Sequence, residues 1–149
     1  MPPDPQDHVR DGYQLLTRAA RLVQRRYDDA LAPLGLTRAA VIALKAMSHR
    51  PMNQEQLAAE VHVQSQTLGR VLTRLEAAGL VSRERDTHDR RQFQVKMTDA
   101  GEAALRAAQE AEIGALPSDF DGWETLQEHL SRLENSFQNR RQAPGPTHK

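Results

Sequence analysis

From Arg74 to Gly101 the chain reads RLEAAGLVSRERDTHDRRQFQVKMTDAG, and within that stretch the spacing of apolar residues changes twice. Up to Ala78 they recur every three or four positions. Then Phe93, Val95 and Met97 alternate with Gln92, Gln94 and Lys96, and after Thr98 a helical spacing resumes. Period two is the mark of a half-buried strand. A lone short strand has no partner for its backbone, so LVSRER before it supplies the second strand, with Asp86–Arg91 as the loop between. A single hairpin inside a helical chain restricts the fold to few architectures. The adjacent arginines at its tip, Arg90 and Arg91, need an explanation.

The flanking segments read as helices. Val9, Tyr13, Leu16, Ala20, Val23, Tyr27 and Leu31 follow a helical period from Asp7 to about Ala32, and PLGLT interrupts it. Thr37 can cap a second helix through Val41, Leu44 and Met47, with Pro51 beyond its end. Asn53, with Gln56 three residues on, has the pattern of a capping box for a short third helix. A fourth runs from about Ser65 to Ala78 and stops at Gly79, suited to the left-handed conformation past a helix end. Thr98 caps a fifth through Leu105 and Ile113, and Ser118 a sixth ending near Arg140.

The expected class is therefore mainly α with a small β-hairpin. A helix-turn-helix followed by a two-stranded wing occupies residues 37–101. Long helices at 7–36 and 102–141 flank it within one domain, and Pro-rich tails lie at 1–6 and 142–149.

Composition narrows the function. With 149 residues, no cysteine and no apolar run of bilayer length, the chain fits a cytoplasmic protein without disulfides, thiol redox sensing or membrane partner. No Gly-rich phosphate loop, nucleophile motif or Cys/His cluster is present, so neither an enzyme nor a cofactor or metal is expected. A site built on His49, His62, His88 or His129 with a carboxylate is the alternative for metal. Lys and Arg number 20, as do Asp and Glu, so any anionic partner must be met by local geometry rather than by an overall field.

The fourth helix offers such a locality. Leu68, Val71, Leu72 and Leu75 form its buried stripe. Gln66, Arg70 and Thr73 fall opposite, with Thr67 and Arg74 to one side, and no acidic residue occurs from Gln64 through Leu75. A helix fits the major groove of a duplex, where Arg can pair with guanine and Gln with adenine. Ser65, Thr67, Arg74 and the helix starts at Asn53 and Gln54 would meet phosphates. The plainer alternative is a solvated helix face. Gly69 weakens the helix, for the approach of another surface or for a close contact between helices.

These residues resemble the MarR family of bacterial transcriptional regulators. The specific parts are RLEAAGLV (Arg74–Val81), DRR (Asp89–Arg91) and VKMTDAG (Val95–Gly101), joined by LAPLGLT (Leu31–Thr37) and the order of the flanking helices. The resemblance implies a homodimer that binds a pseudo-palindromic operator, usually represses, and is released by a small molecule. It also implies that Asp89 orients Arg91, with Arg90 beside it, so that the wing reaches a minor groove, whose narrow form attracts arginine. Gln64 and Ser65 depart from the family's Asp or Ser followed by Pro at the start of the recognition helix, with Ser65 as a cap one residue later. Gly69 stands where Ser or Thr is common.

Phe120, Trp123, Leu126, Leu130, Leu133 and Phe137 follow a near-heptad seam, which pairing with a second subunit would bury. Family members often bind anionic aromatic compounds in a cleft near the dimer helices. Tyr13, Thr17, Met47 and His49 are the candidates for such a cleft here, against a reading of each as ordinary core or surface. A different function class stays open: a winged-helix dimer that only binds other proteins, which the zero net charge favours.

Overall fold

The computed structural model describes residues 1–2 and 4–142; the stretch 143–149, expected from its composition to be a tail, lies outside the described residues. Packing groups the chain into two units, Met1–Leu116 and the part from Pro117 onward, where the sequence suggests one domain. Among the described residues no single helix is long and apolar enough to cross a membrane.

In the first unit, helix α1 spans Pro5–Leu31 and starts two residues before the apolar spacing does. Asp4 is the reason. Its carboxylate accepts the Gln6 N–H at 3.0 Å, and Pro5 takes the first helical position, where a missing N–H is harmless. Residues 5 and 6 are thus helix rather than tail. A 3-10 turn, Ala32–Leu34, closes on Gly35 at φ 69°, and α2 follows over Arg38–Met47, capped by the Thr37 hydroxyl. Strand β1 is only Met52–Asn53; α3 spans Gln54–Val61 and α4 Ser65–Ala77. Strands β2 (Val81–Arg85) and β3 (Phe93–Met97) precede α5, Asp99–Ala115.

The expected two-stranded hairpin is a three-stranded antiparallel sheet in the order β1-β3-β2. Met52 pairs with Val95 and Asn53 with Gln94, so the third strand is created by register with β3. Two residues carry no periodicity of their own. Alternation in β3 also holds only in part: Val95 is buried, but Phe93 at the distal end is 47% exposed. The sheet face there has run past the core.

Leu31, Leu44, Leu57, Leu68, Leu72 and Val95 form the centre of the core, each at most 2% exposed. The first turn of α5 is locked to the base of the hairpin. Thr98 donates its hydroxyl to the Gly79 carbonyl at 2.6 Å and its N–H to the Leu80 carbonyl at 3.0 Å. A Cβ at Gly101 would collide with that Leu80 carbonyl, which is why glycine stands there.

In the second unit, α6 spans Trp123–Gln142 and starts later than the expected Ser118 cap. The Gly122 carbonyl accepts the first helical bond, from Leu126 N–H at 3.0 Å. Phe120 therefore precedes the helix. Its ring lies over Gly122, where a Cβ would touch it, and meets Trp123 edge-on with centroids 5.1 Å apart.

Candidate nucleic-acid interface

Helix α4 presents its polar side to solvent. Leu68, Leu72 and Leu75 are buried, while Ser65, Gln66, Thr67, Arg70, Thr73 and Arg74 are exposed. Among the described residues the side chains of Gln66, Arg70 and Arg74 form no hydrogen bond or ion pair within the chain. Their donors are available to a ligand without breaking anything. Thr73 differs: its hydroxyl donates to the Gly69 carbonyl at 2.9 Å, so only its oxygen lone pairs remain. The N-cap position of α4 is Gln64, with no side-chain hydrogen bond, so Ser65 does not act as the cap. The backbone N–H groups of that first turn are left for an anion or water.

The start of α3 is otherwise engaged. Asn53 and Gln56 form the expected capping box, with Gln56 N–H donating to Asn53 Oδ1 at 2.7 Å and Asn53 N–H to Gln56 Oε1 at 3.2 Å. The Asn53 amide also donates to Gln92 Oε1 at 2.9 Å, tying the wing's base to the helix start. Gln54 reaches across to α4 and donates to the Ser65 carbonyl at 2.9 Å. Both side chains are thus internal fasteners, which leaves the backbone of this turn as what the expected phosphate contact would use. Gly69 is explained by the same contact. A Cβ there would stand 3.1 Å from Gln54 Nε2, so glycine opens the notch in which the amide sits. Close contact between helices accounts for it.

The wing loop is fixed by its own aspartates. Asp86 Oδ1 accepts the His88 N–H and Asp89 Oδ1 the Arg91 N–H, each at 3.0 Å. Asp89 therefore sets Arg91 through the backbone. No Asp89–Arg91 ion pair stands among those of the described residues, so the contact between them is through the backbone N–H. Arg90 and Arg91 are both exposed.

Arg83 is not among the residues the sequence singles out, yet it stands between the two surfaces. It borders one depression with Gln66, Gly69, Arg70 and Arg74, and another with Ser65, Arg91 and Gln92. Its Nε lies 3.1 Å from Glu76 Oε2, close enough for charge pairing but without the alignment of a hydrogen bond; Nε and Nη2 are shielded and have no hydrogen-bond partner. The available signal was its place in β2, two residues from buried Val81 on the same face.

Of the four proposed cleft residues, Met47 is 3% exposed and belongs to the core, while Tyr13 and His49 are exposed. The burial of Met47 fits the alternative reading of it as ordinary core. A cavity of about 270 Å³ instead lies between the start of α2 and α4, lined by Leu36, Thr37, Val71 and Leu75 with Arg70 and Arg74. Among the described residues no three His, Asp or Glu side chains group as a metal site.

A polar, cation-bearing helix and an arginine-tipped wing on one lobe are matched by a family model. The model for the MarR family covers residues 34–92. Over those residues the chain is similar to the MarR family. Solved structures agree over most of the chain. A structure of reduced AbfR bound to DNA is 27% identical, covers 93% of this chain and 100% of that one, and has a TM-score of 0.73. The transcriptional regulator BldR from Sulfolobus solfataricus is likewise 27% identical, covering 90% and 99%, with a TM-score of 0.73. CouR from Rhodococcus jostii RHA1, bound to p-coumaroyl-CoA, is 25% identical over 83% and 88%, with a TM-score of 0.70. In this chain Gln54 fills the notch at Gly69, and α4 keeps its full span with Gln64 at its N-cap.

Proposed function

We propose that the protein is a sequence-specific, DNA-binding regulator of transcription that acts as a homodimer on a pseudo-palindromic operator. The observation that carries this reading is the exposed, internally unpaired set Gln66, Arg70 and Arg74 on α4, next to a wing ending in Arg90 and Arg91. In this reading α4 enters the major groove, Arg70 and Gln66 contact base edges, and Arg74, Thr67 and the first-turn N–H groups of α4 hold phosphates. Arg91, set by Asp89, enters the adjacent minor groove with Arg90 beside it. Arg83 stands between them with its charge offset by Glu76. A two-fold dimer would place two such helices about 34 Å apart, one turn of DNA.

The regulatory half of the proposal is repression released by a small molecule, of which an anionic aromatic is the favoured class. It rests on CouR's structure with p-coumaroyl-CoA. The reading of a dimer that binds only proteins is favoured by one observation, the zero net charge.

An electrophoretic shift with the DNA flanking the protein's own gene separates the two. The DNA reading expects a retarded band that survives excess unrelated duplex at moderate salt. It also expects Arg91→Ala to weaken that band tenfold or more without changing the oligomeric state. Retardation no stronger than with unrelated DNA would favour the protein-interaction reading.

A further inference from the structure

Phe93 is an oddity. It sits at the end of β3 farthest from the core, nearly half exposed, where an aromatic gains little by burial. What it touches is Arg85, its direct partner across the hairpin. The Arg85 guanidinium carbon lies 5.4 Å from the centre of the ring, within the range of a cation–π contact. From that seat Arg85 Nη1 donates to the backbone carbonyl of Arg90 at 3.3 Å.

Apart from the Asn53–Gln92 tie at its base, the other bonds of the wing among the described residues run within its loop or along its closing rungs. Asp86 N–H donates to the Gln92 carbonyl at 2.9 Å, Gln92 N–H to the Asp89 carbonyl at 3.0 Å, and the two aspartates hold His88 and Arg91. These bonds fix the shape of the loop. Among the described residues, Arg85 is the side chain that bonds from the strand to the tip, and so fixes where the tip stands relative to the sheet.

We propose that Arg85, seated on Phe93, is a positioning residue for the wing arginines, holding Arg90 and Arg91 in their DNA-ready place before a duplex arrives. The proposal rests on the DNA-binding reading for its consequence, but the clamp is a property of the free protein. A wing already ordered loses less conformational freedom on docking. A cation–π contact at an exposed site and one hydrogen bond are each worth a few-fold, so the pair contributes about tenfold to affinity. The competing role for Arg85 is a direct phosphate contact. In that case its charge would matter and the ring beneath it would not.

Phe93→Leu separates the two, because it removes the ring and leaves every charge in place; Phe93→Tyr keeps the ring. Each is made in the full chain, alone and with Arg91→Ala, and binding is measured to the duplex that the unaltered protein selects from a random-sequence pool. Clamping predicts that Phe93→Leu loses about tenfold, that Phe93→Tyr binds like the unaltered protein, and that Phe93→Leu adds almost nothing once Arg91 is gone. Unchanged binding by Phe93→Leu, or an equal loss in both backgrounds, overturns it. Amide hydrogen exchange in the free protein gives a second reading independent of DNA. Exchange at Arg91 and Gln92 should quicken in Phe93→Leu and not in Phe93→Tyr; equal rates in all three overturn the clamp. If the pool yields no duplex, the DNA-binding reading fails, and exchange still decides whether the clamp exists.

Discussion

His62 holds the turn between the two helices of the motif in a left-handed conformation, φ 56° and ψ 40°, with its N–H on the Ala58 carbonyl. A residue with a Cβ is strained there by about 1 kcal/mol, which glycine avoids. Accordingly His62→Gly should raise the thermal midpoint by several degrees in a melting experiment; an unchanged or lowered midpoint would show that the His62 side chain holds the turn. Tyr27 offers a pH-dependent counterpart. Burial, and then the charge of Glu112, raise its pKa above the ordinary 10.0. The unfolded chain then gives up that proton first, so stability present below about pH 10 is lost as pH rises further. Urea midpoints followed upward from about pH 9 should fall less steeply in Tyr27→Phe than in the unaltered protein. Single residues also mark the limit of what the sequence reveals. Asn53 and Gln54 have the right chemistry to meet phosphate, and only the folded geometry shows their amides spent on Gln92 and Ser65. A residue's type is legible, while its partner across thirty-nine positions is not.

Elements were legible where they repeat. The caps at Thr37, Asn53 and Thr98 and the helical spacing placed α2, α3 and α5 well, because capping and amphipathic burial are local. Strand β1 was not legible, since two residues become a strand only by pairing with Val95 and Gln94. The start of α6 was misplaced because Ser118 resembles a cap, whereas the chain turns once more through Phe120 and Gly122. The junction at Asn53 joins three elements, being the cap of α3, a residue of β1 and the anchor of the wing through Gln92. Asn53→Ala removes the cap and that tie together. It is expected to cost about 1–2 kcal/mol, read from the urea midpoint, and to quicken exchange at the wing's base. A loss within 0.5 kcal/mol, in the range of an ordinary surface change, would contradict this account.

At the scale of the molecule, the single chain leaves much apolar surface uncovered. On α1, Val9, Tyr13, Leu15, Leu16, Leu22 and Val23 are 39–72% exposed; Phe120, Trp123 and the α6 residues Leu126, Leu130, Leu133 and Phe137 are 36–63% exposed. Each of these exposed apolar stripes, taken by itself, has the character of an interaction surface, and a homodimer is the proposed use. Leu130→Glu puts a charge in the middle of the α6 seam and is expected to shift the protein toward monomer in sedimentation equilibrium. A variant that stays as dimeric as the parent would remove α6 from the proposed interface. Dimerisation would matter most for a chain with no net charge, because two lobes double a contact that one neutral chain makes weakly. The decisive measurement is therefore the affinity of the purified protein for its own selected duplex against a scrambled one, titrated over salt. The account predicts a preference of about a thousandfold or more, affinity that falls steeply with salt, and loss of that preference in Arg70→Ala. Equal binding to both duplexes would contradict it.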